Sequence, residues 1–236
     1  TFGECMRHKP CNIVELTGNL EDEFVADFIQ LGCHGGERKA LEVLRILETR
    51  YREPQRHYHT NTHVEEVLAA AHKLLRGTLQ KNRPLVRMAL WFHDAVYDPN
   101  DHRPDVNEQS SVRLAVELLA GASVKNLNAI TSAIRATAHL NHMRAQRLSI
   151  VERVVISADL SILAAPMRRF AEYCKQIRRE YELVPMTVYH QHRIAILEKF
   201  LAQRPLFPYP KAEKLWGMRA RKNLASEVSF LKYISS

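Results

Sequence analysis

Apolar positions recur at three- and four-residue intervals along most of this chain, and no stretch alternates apolar and polar residues for more than four positions. That period predicts helices and argues against strands. Residues 20–31 read as a short helix with the stripe Phe24, Val25, Phe28 and Leu31. Residues 37–51 repeat the pattern through Leu41, Leu44, Ile46 and Leu47, and Pro54 stops it. A third helix begins at the cap-forming residues Thr60-Asn61-Thr62 and runs through Val64, Val67, Leu68, Ala71, Leu74 and Leu75. His63, four residues before Val67, shares its inward face. Pro84 suits the first turn of a fourth helix. Residues 85–92 are apolar nearly all round, which predicts a helix at the centre of the core.

Further helical patterns cover residues 108–119, 127–139 and 151–163. Three more surround Phe170 to Tyr181, Ile194 to Leu201 and Lys211 to Leu231, with Pro205, Pro208 and Pro210 marking a loop between the last two. There is no internal repeat and no low-complexity segment. The expected fold class is all-α: one domain over residues 37–236, preceded by a partly helical extension over residues 1–36.

The apolar fourth helix ends in Trp91-Phe92-His93-Asp94-Ala95-Val96-Tyr97-Asp98. Burying an imidazole and a carboxylate side by side is costly unless something compensates them, and a divalent cation does so. Asp159 has a similar setting, between Val154, Val155, Ile156 and Leu160, Ile162, Leu163. With His63, these residues supply two imidazoles and two carboxylates from three predicted helices. Such a set suits a divalent cation with positions left open for water and substrate.

Size and charge change this picture little. The 236 residues and 27.2 kDa fit one globular domain. The net charge of +8 and pI near 9.4 favour anionic partners: phosphate esters, nucleotides or RNA. The basic residues are dispersed, apart from Arg168-Arg169, Arg178-Arg179 and the run from Arg219 to Lys222, so a solvated basic surface explains them equally well. Cys5, Cys11, Cys33 and Cys174 are too few and too unevenly placed for a disulfide framework, which favours a reducing, cytoplasmic setting. Cys5, His8, Cys11, Cys33 and His34 offer zinc-ligand chemistry, but their spacing matches no closed zinc module, and free thiols are the plainer reading. No apolar run is long enough to span a membrane, and Thr1 to Pro10 do not resemble a secretory signal.

The order His63, then His93-Asp94, then Asp159 resembles the HD superfamily of metal-dependent phosphohydrolases. The wider pattern is similar to one subgroup of uncharacterised HD-domain phosphohydrolases. It comprises Tyr51-x-Glu53-Pro54-x-Arg56-x-Tyr58-His59, Trp91 to Asp98, Asn107-Glu108-x-Ser110 and Thr137-x-His139, then Asp159-Leu160-x-Ile162-Leu163, Ile177-Arg178-x-Glu180-Tyr181 and Ala220-Arg221-x-Asn223-Leu224. The resemblance covers roughly residues 40–232. One departure is Val106, which separates Asp105 from the Asn-Glu pair where the subgroup carries an acid directly before it.

The resemblance implies a helical bundle with His63, His93, Asp94 and Asp159 as ligands to one or two divalent metal ions (Mn, Fe, Co, Ni, Mg or Zn), and hydrolysis of a phosphate ester. Asp98 is then the first candidate to take a proton from water, and Glu108 the second; Glu108 equally suits a first-turn acid of its own helix. His59, His139 and His142 are candidates for a second metal or for a phosphate oxygen. Arg56, Arg178 and Arg221 have the chemistry for phosphate contacts, against the alternative of ion pairs with Glu53 or Glu180. Tyr58 either packs on a base or lines the core. The rival functions are a non-catalytic module that binds metal, nucleotide or RNA, and a di-iron oxygenase on the same fold, which needs more histidine ligands.

Overall fold

In a computed structural model the chain is described over residues 20–77, 80–101, 103–138 and 148–235. These residues are all-α. Ten α-helices follow one another: α1 (Leu20–Gln30), α2 (Gly36–Arg50), α3 (Asn61–Leu75), α4 (Arg83–Phe92), α5 (Val106–Leu118), α6 (Val124–Arg135), α7 (Ile150–Asp159), α8 (Met167–Glu180), α9 (Met186–Ala202) and α10 (Pro210–Ser235). A 3-10 turn, Leu160–Ala164, continues directly from α7. No helix among the described residues is long and apolar enough to cross a membrane.

The centre is taken by α4. Val86, Met88, Ala89, Leu90 and Phe92 of α4 are completely buried, and α4 packs against α1, α3, α5, α6 and α7. Phe24 and Phe28 of α1 enter the same core, so the segment from Leu20 onward packs with the helices that follow it. Arg87 on the flank of α4 forms a two-pronged ion pair with Asp27 of α1, 2.6 Å at each contact, which fixes that helix without exposing α4.

The last three helices attach through the turn after α7. α8 and α10 both pack on Leu160–Ala164, and α9 packs on α10. Asn223 of α10 donates from Nδ2 to the carbonyls of Leu163 and Ala165, 2.9 Å each, satisfying backbone groups that the short turn leaves over. At its other end α7 is held by a reciprocal cap: Ser149 Oγ accepts from the Glu152 amide, and Glu152 accepts from the Ser149 amide. Asp159 is therefore the last residue of a helix pinned at both ends.

Candidate metal centre and its cavity

His93 and Asp94 lie one and two residues past the last residue of α4, at its C-terminal turn rather than within the helix. Several groups satisfy the carbonyls exposed there. Tyr51 donates to Trp91 O at 3.0 Å, His93 Nδ1 meets Leu90 O at 2.8 Å, and Arg56 donates to Asp94 O at 2.7 Å and Ala95 O at 3.1 Å. A cation at a helix C-terminus is also favoured by the helix dipole. The doublet is thus held by its own backbone, which leaves its side chains to face inward.

Among the described residues, His63, His93, Asp94 and Asp159 bring one ligand atom each into a common space. His63 Nε2 is 3.1 Å from His93 Nε2, 3.5 Å from Asp94 Oδ2 and 3.4 Å from Asp159 Oδ1. His93 Nε2 is 3.0 Å from Asp94 Oδ2 and 3.5 Å from Asp159 Oδ1. A cation ~2.1 Å from each donor sets donor–donor edges of roughly 3.0 Å in octahedral and roughly 3.4 Å in tetrahedral geometry. Three of the five distances fall in that range and the other two, at 3.5 Å, lie just above it; all four ligand atoms lie within 4.8 Å of one another. The cluster could hold a metal ion, and the donor set of two imidazoles and two carboxylates suits a divalent one.

The electrostatics agree. Burial opposes charge on His63, His93 and Asp94. The carboxylates of Asp94 and Asp159 nevertheless raise the pKa of His63 and raise that of His93 well above the usual imidazole value. His93, His59 and His63 in turn hold Asp94 well below the usual carboxylate range. The two carboxylates thus call for positive charge, from protonated imidazoles or from a cation. His93 has its second nitrogen fixed by Leu90 O, the arrangement common for metal-binding histidines. His63 Nδ1 is buried without a hydrogen-bond partner.

A cavity of about 650 Å³ opens beside the cluster, with Asp94, Asp159, His59 and Glu108 on its wall. Much of the remaining wall is apolar or aromatic, including Tyr58, Tyr173, Ile177, Tyr189, Ile196 and Phe200. Its size is in the usual range for a small-molecule site, roughly 300–1,000 Å³.

His59 is held at this wall by Glu180. The Glu180 carboxylate accepts the backbone amides of His57, Tyr58 and His59 at 2.8, 2.7 and 2.9 Å, and the Tyr97 hydroxyl at 3.1 Å. His59 Nδ1 lies 2.7 Å from it. Despite its burial, the neighbouring His59 and these donors bring Glu180 down to about 2. It is therefore ionised at neutral pH and can only accept, which places the proton of His59 on Nδ1. Nε2 then faces the cluster, 3.8 Å from Asp94 Oδ2.

The three arginines and Asp98 stand off the cavity wall, and Arg56 makes the ion pair with Glu53 that was the alternative to a phosphate contact. Arg56 does not line the cavity: its donors go to Glu53, His59 O, Asp94 O and Ala95 O. Arg178 spends its donors on the carbonyls of Tyr181, Glu182 and Val184, closing the turn after α8. Arg221 binds Leu201 O, Gln203 O and Glu213. All three hold chain segments together, and none of them is on the cavity wall. Asp98 is exposed and accepts from the Asn100 amide in its own turn, while Asn107 pairs with its backbone on both sides. It is not on the cavity wall, whereas Glu108 is. The sequence offered both acids, and only the fold of the loop separates them.

His139 and His142 lie outside the described residues, as do Cys5, His8 and Cys11. Cys33 is a buried free thiol that burial pushes up to about 11, so it stays protonated at neutral pH. Sequence reasoning missed Glu180 as the group that orients His59, and it missed Arg193 of α9, which lies on the cavity wall. The signal for Arg193 was its place four residues after Tyr189 and four before Leu197, on one helical face. No protein-family model matches the chain, and no curated protein matches it.

Proposed function

We propose that the chain is a metal-dependent phosphohydrolase of the HD type, cleaving a phosphate ester of a nucleotide or another small phosphorylated metabolite. The observation that carries this reading is the meeting of two imidazoles and two carboxylates at cation-sized spacing on the wall of a substrate-sized cavity. His63, His93, Asp94 and Asp159 would hold the cation. When bound, a divalent cation polarises a phosphoryl oxygen and acidifies water. Glu108 stands on the same wall as the carboxylate that takes the proton of the attacking water. His59, turned by Glu180 so that Nε2 faces the cluster, meets the phosphoryl oxygens. The apolar and aromatic wall excludes bulk water and accommodates the organic part of the ester.

The test is direct. Purified chain loaded in turn with Mn, Fe(II), Co, Ni, Mg and Zn is expected to release phosphate or a nucleoside from at least one member of a broad ester panel. Asp94→Ala is expected to lose both bound metal, measured by elemental analysis, and turnover. Metal bound by His63, His93, Asp94 and Asp159 with no cleavage across the panel would leave a binding module in place of the enzyme.

A further inference from the structure

Arg193 is buried, 8% exposed, yet its Nε and Nη2 have no hydrogen-bond partner. Arginine cannot shed its charge, so this is a cation in a poorly solvated place with two N–H groups unused. Its surroundings supply no counter-charge at neutral pH. Burial pushes the Cys174 thiol up to about 12, the Tyr189 phenol to about 12, and raises the Tyr173 phenol as well, so all three remain neutral. Glu227 of α10 shares Cys174 and Tyr189 as neighbours, but among the described residues no carboxylate forms an ion pair with Arg193.

The guanidinium has a definite relation to the metal centre. It lies 5.2 Å from the Tyr173 ring, which contacts the Tyr58 ring at 4.7 Å, which contacts the His63 ring at 4.7 Å. Arg193, Tyr173, Tyr58 and the ligands Asp94 and Asp159 all line the one cavity. Two aromatic rings therefore separate the buried cation from the carboxylate cluster along a shared wall.

We propose that Arg193 holds a second oxyanion of the substrate, a phosphate or carboxylate group, at a distance of two aromatic rings from the metal centre. The role of the other end rests on the phosphohydrolase reading; the anion site does not. Together they define the substrate class: an organic phosphate with an apolar or aromatic body and another anionic group beyond it. A planar oxyanion or phosphate takes the fork of Nε and Nη2 in two parallel hydrogen bonds, a geometry an ammonium cannot reproduce.

The experiment uses the full chain in excess chelator, so that binding at the metal centre plays no part. Phenyl phosphate, benzoate and uncharged benzyl alcohol are titrated by calorimetry, with melting followed in parallel. Phenyl phosphate or benzoate is expected to bind and benzyl alcohol not, and whichever anion binds more tightly identifies the group. Arg193→Met is expected to lose at least tenfold in affinity for that anion. It should also melt at or above the temperature of the parent without ligand, since it removes an uncompensated buried charge. Arg193→Lys, which keeps the charge but not the fork, is expected to fall between. Equal anion affinity in the parent and Arg193→Met overturns the proposal. So does a parent that binds neither anion, and so does an Arg193→Met protein that melts well below the parent, which marks a structural arginine. Anion binding that depends on Arg193, with no metal-dependent turnover on any ester, sinks the hydrolase reading alone. Turnover with an unchanged KM in Arg193→Met sinks this one alone.

Discussion

Arg56 and Arg193 are buried almost equally, at 5% and 8% exposure, and both lie over tyrosine rings, but they differ in what their donors meet. Arg56, in the loop between α2 and α3, binds Glu53 and three backbone carbonyls, those of His59, Asp94 and Ala95. Arg193, on the α9 face of the cavity, keeps two donor nitrogens without a partner. Burial alone therefore says nothing of purpose. A buried cation whose donors are consumed by its own chain is part of the frame. One left with unused donors on a cavity wall is poised for something the chain does not contain.

The same contrast separates the carboxylates. Glu180 has its oxygens engaged by three amides, a histidine and a tyrosine, whereas Asp94 and Asp159 direct an oxygen at imidazole nitrogens that themselves need a proton or a metal. On this view Arg56 and Glu180 make one rigid brace. It ties the segment 56–59 both to the end of α4 and to the end of α8, and so places His59, His93 and Asp94 together.

Arg56→Met should cost more stability than Glu180→Gln or Asp98→Ala. It strands Asp94 O, Ala95 O and His59 O and leaves Glu53 without its buried partner. Removing one side of a buried charged network costs about 3–5 kcal/mol. Urea denaturation should show that loss, and metal affinity should fall with it because the doublet's backbone is no longer held. Loss of stability below ~1 kcal/mol would mean that the carbonyls find water instead, and the contrast with Arg193 would collapse.

Glu180 gives a smaller effect with a distinctive pH dependence. Its folded pKa of about 2 lies below the unfolded value near ~4.3. Its contribution is therefore complete above that unfolded value and is lost as the pH falls toward about 2. The difference of roughly two units corresponds to about 3 kcal/mol. The parent should lose stability on going from pH 6 to pH 3, and Glu180→Gln, less stable at pH 6, should show a flatter profile over that window. Parallel profiles for the two proteins would remove Glu180 from the brace.

Much of this organisation could be read from the residues alone, and the reasons are specific. The helices follow the apolar period, and α4 is central because Val86 to Phe92 offers almost no polar face. His93, Asp94 and Asp159 stood out because each interrupts an apolar frame, and His63 because it shares the inward face of Val67; the fold brings the four together. The Arg56–Glu53 pair was one of the alternatives the sequence offered, but the carbonyls that Arg56 and Arg178 bind were not legible. A sequence shows donors, but which carbonyls a helix end leaves unsatisfied depends on where that end comes to rest. Arg193 was hidden for a different reason. The buried side of α9 mixes Tyr189, His190 and Arg193 with Leu197 and Phe200, so polarity no longer marks which side faces out.

Asp98 and Glu108 differ in place, one in a surface turn and one on the cavity wall, and here the expected effects on stability are smallest. Asp98 is exposed and occupied by the amide of Asn100 in a surface turn, so Asp98→Ala should cost no more than about 1 kcal/mol, the usual worth of one such hydrogen bond. Because it is not on the cavity wall, metal-dependent turnover should be unchanged. Glu108→Gln should alter stability by less than about 0.5 kcal/mol, as a half-buried, near-isosteric change. Its cost should appear in kcat, by about 10²–10⁴-fold, the range for removing a group that takes a proton from water. Metal content should stay the same in both variants. The reverse pattern, with kcat lost in Asp98→Ala and kept in Glu108→Gln, would mean that the loop closes over the cavity when substrate enters. The occupied carboxylate would then be the working one, and an engaged side chain could no longer be taken as part of the frame.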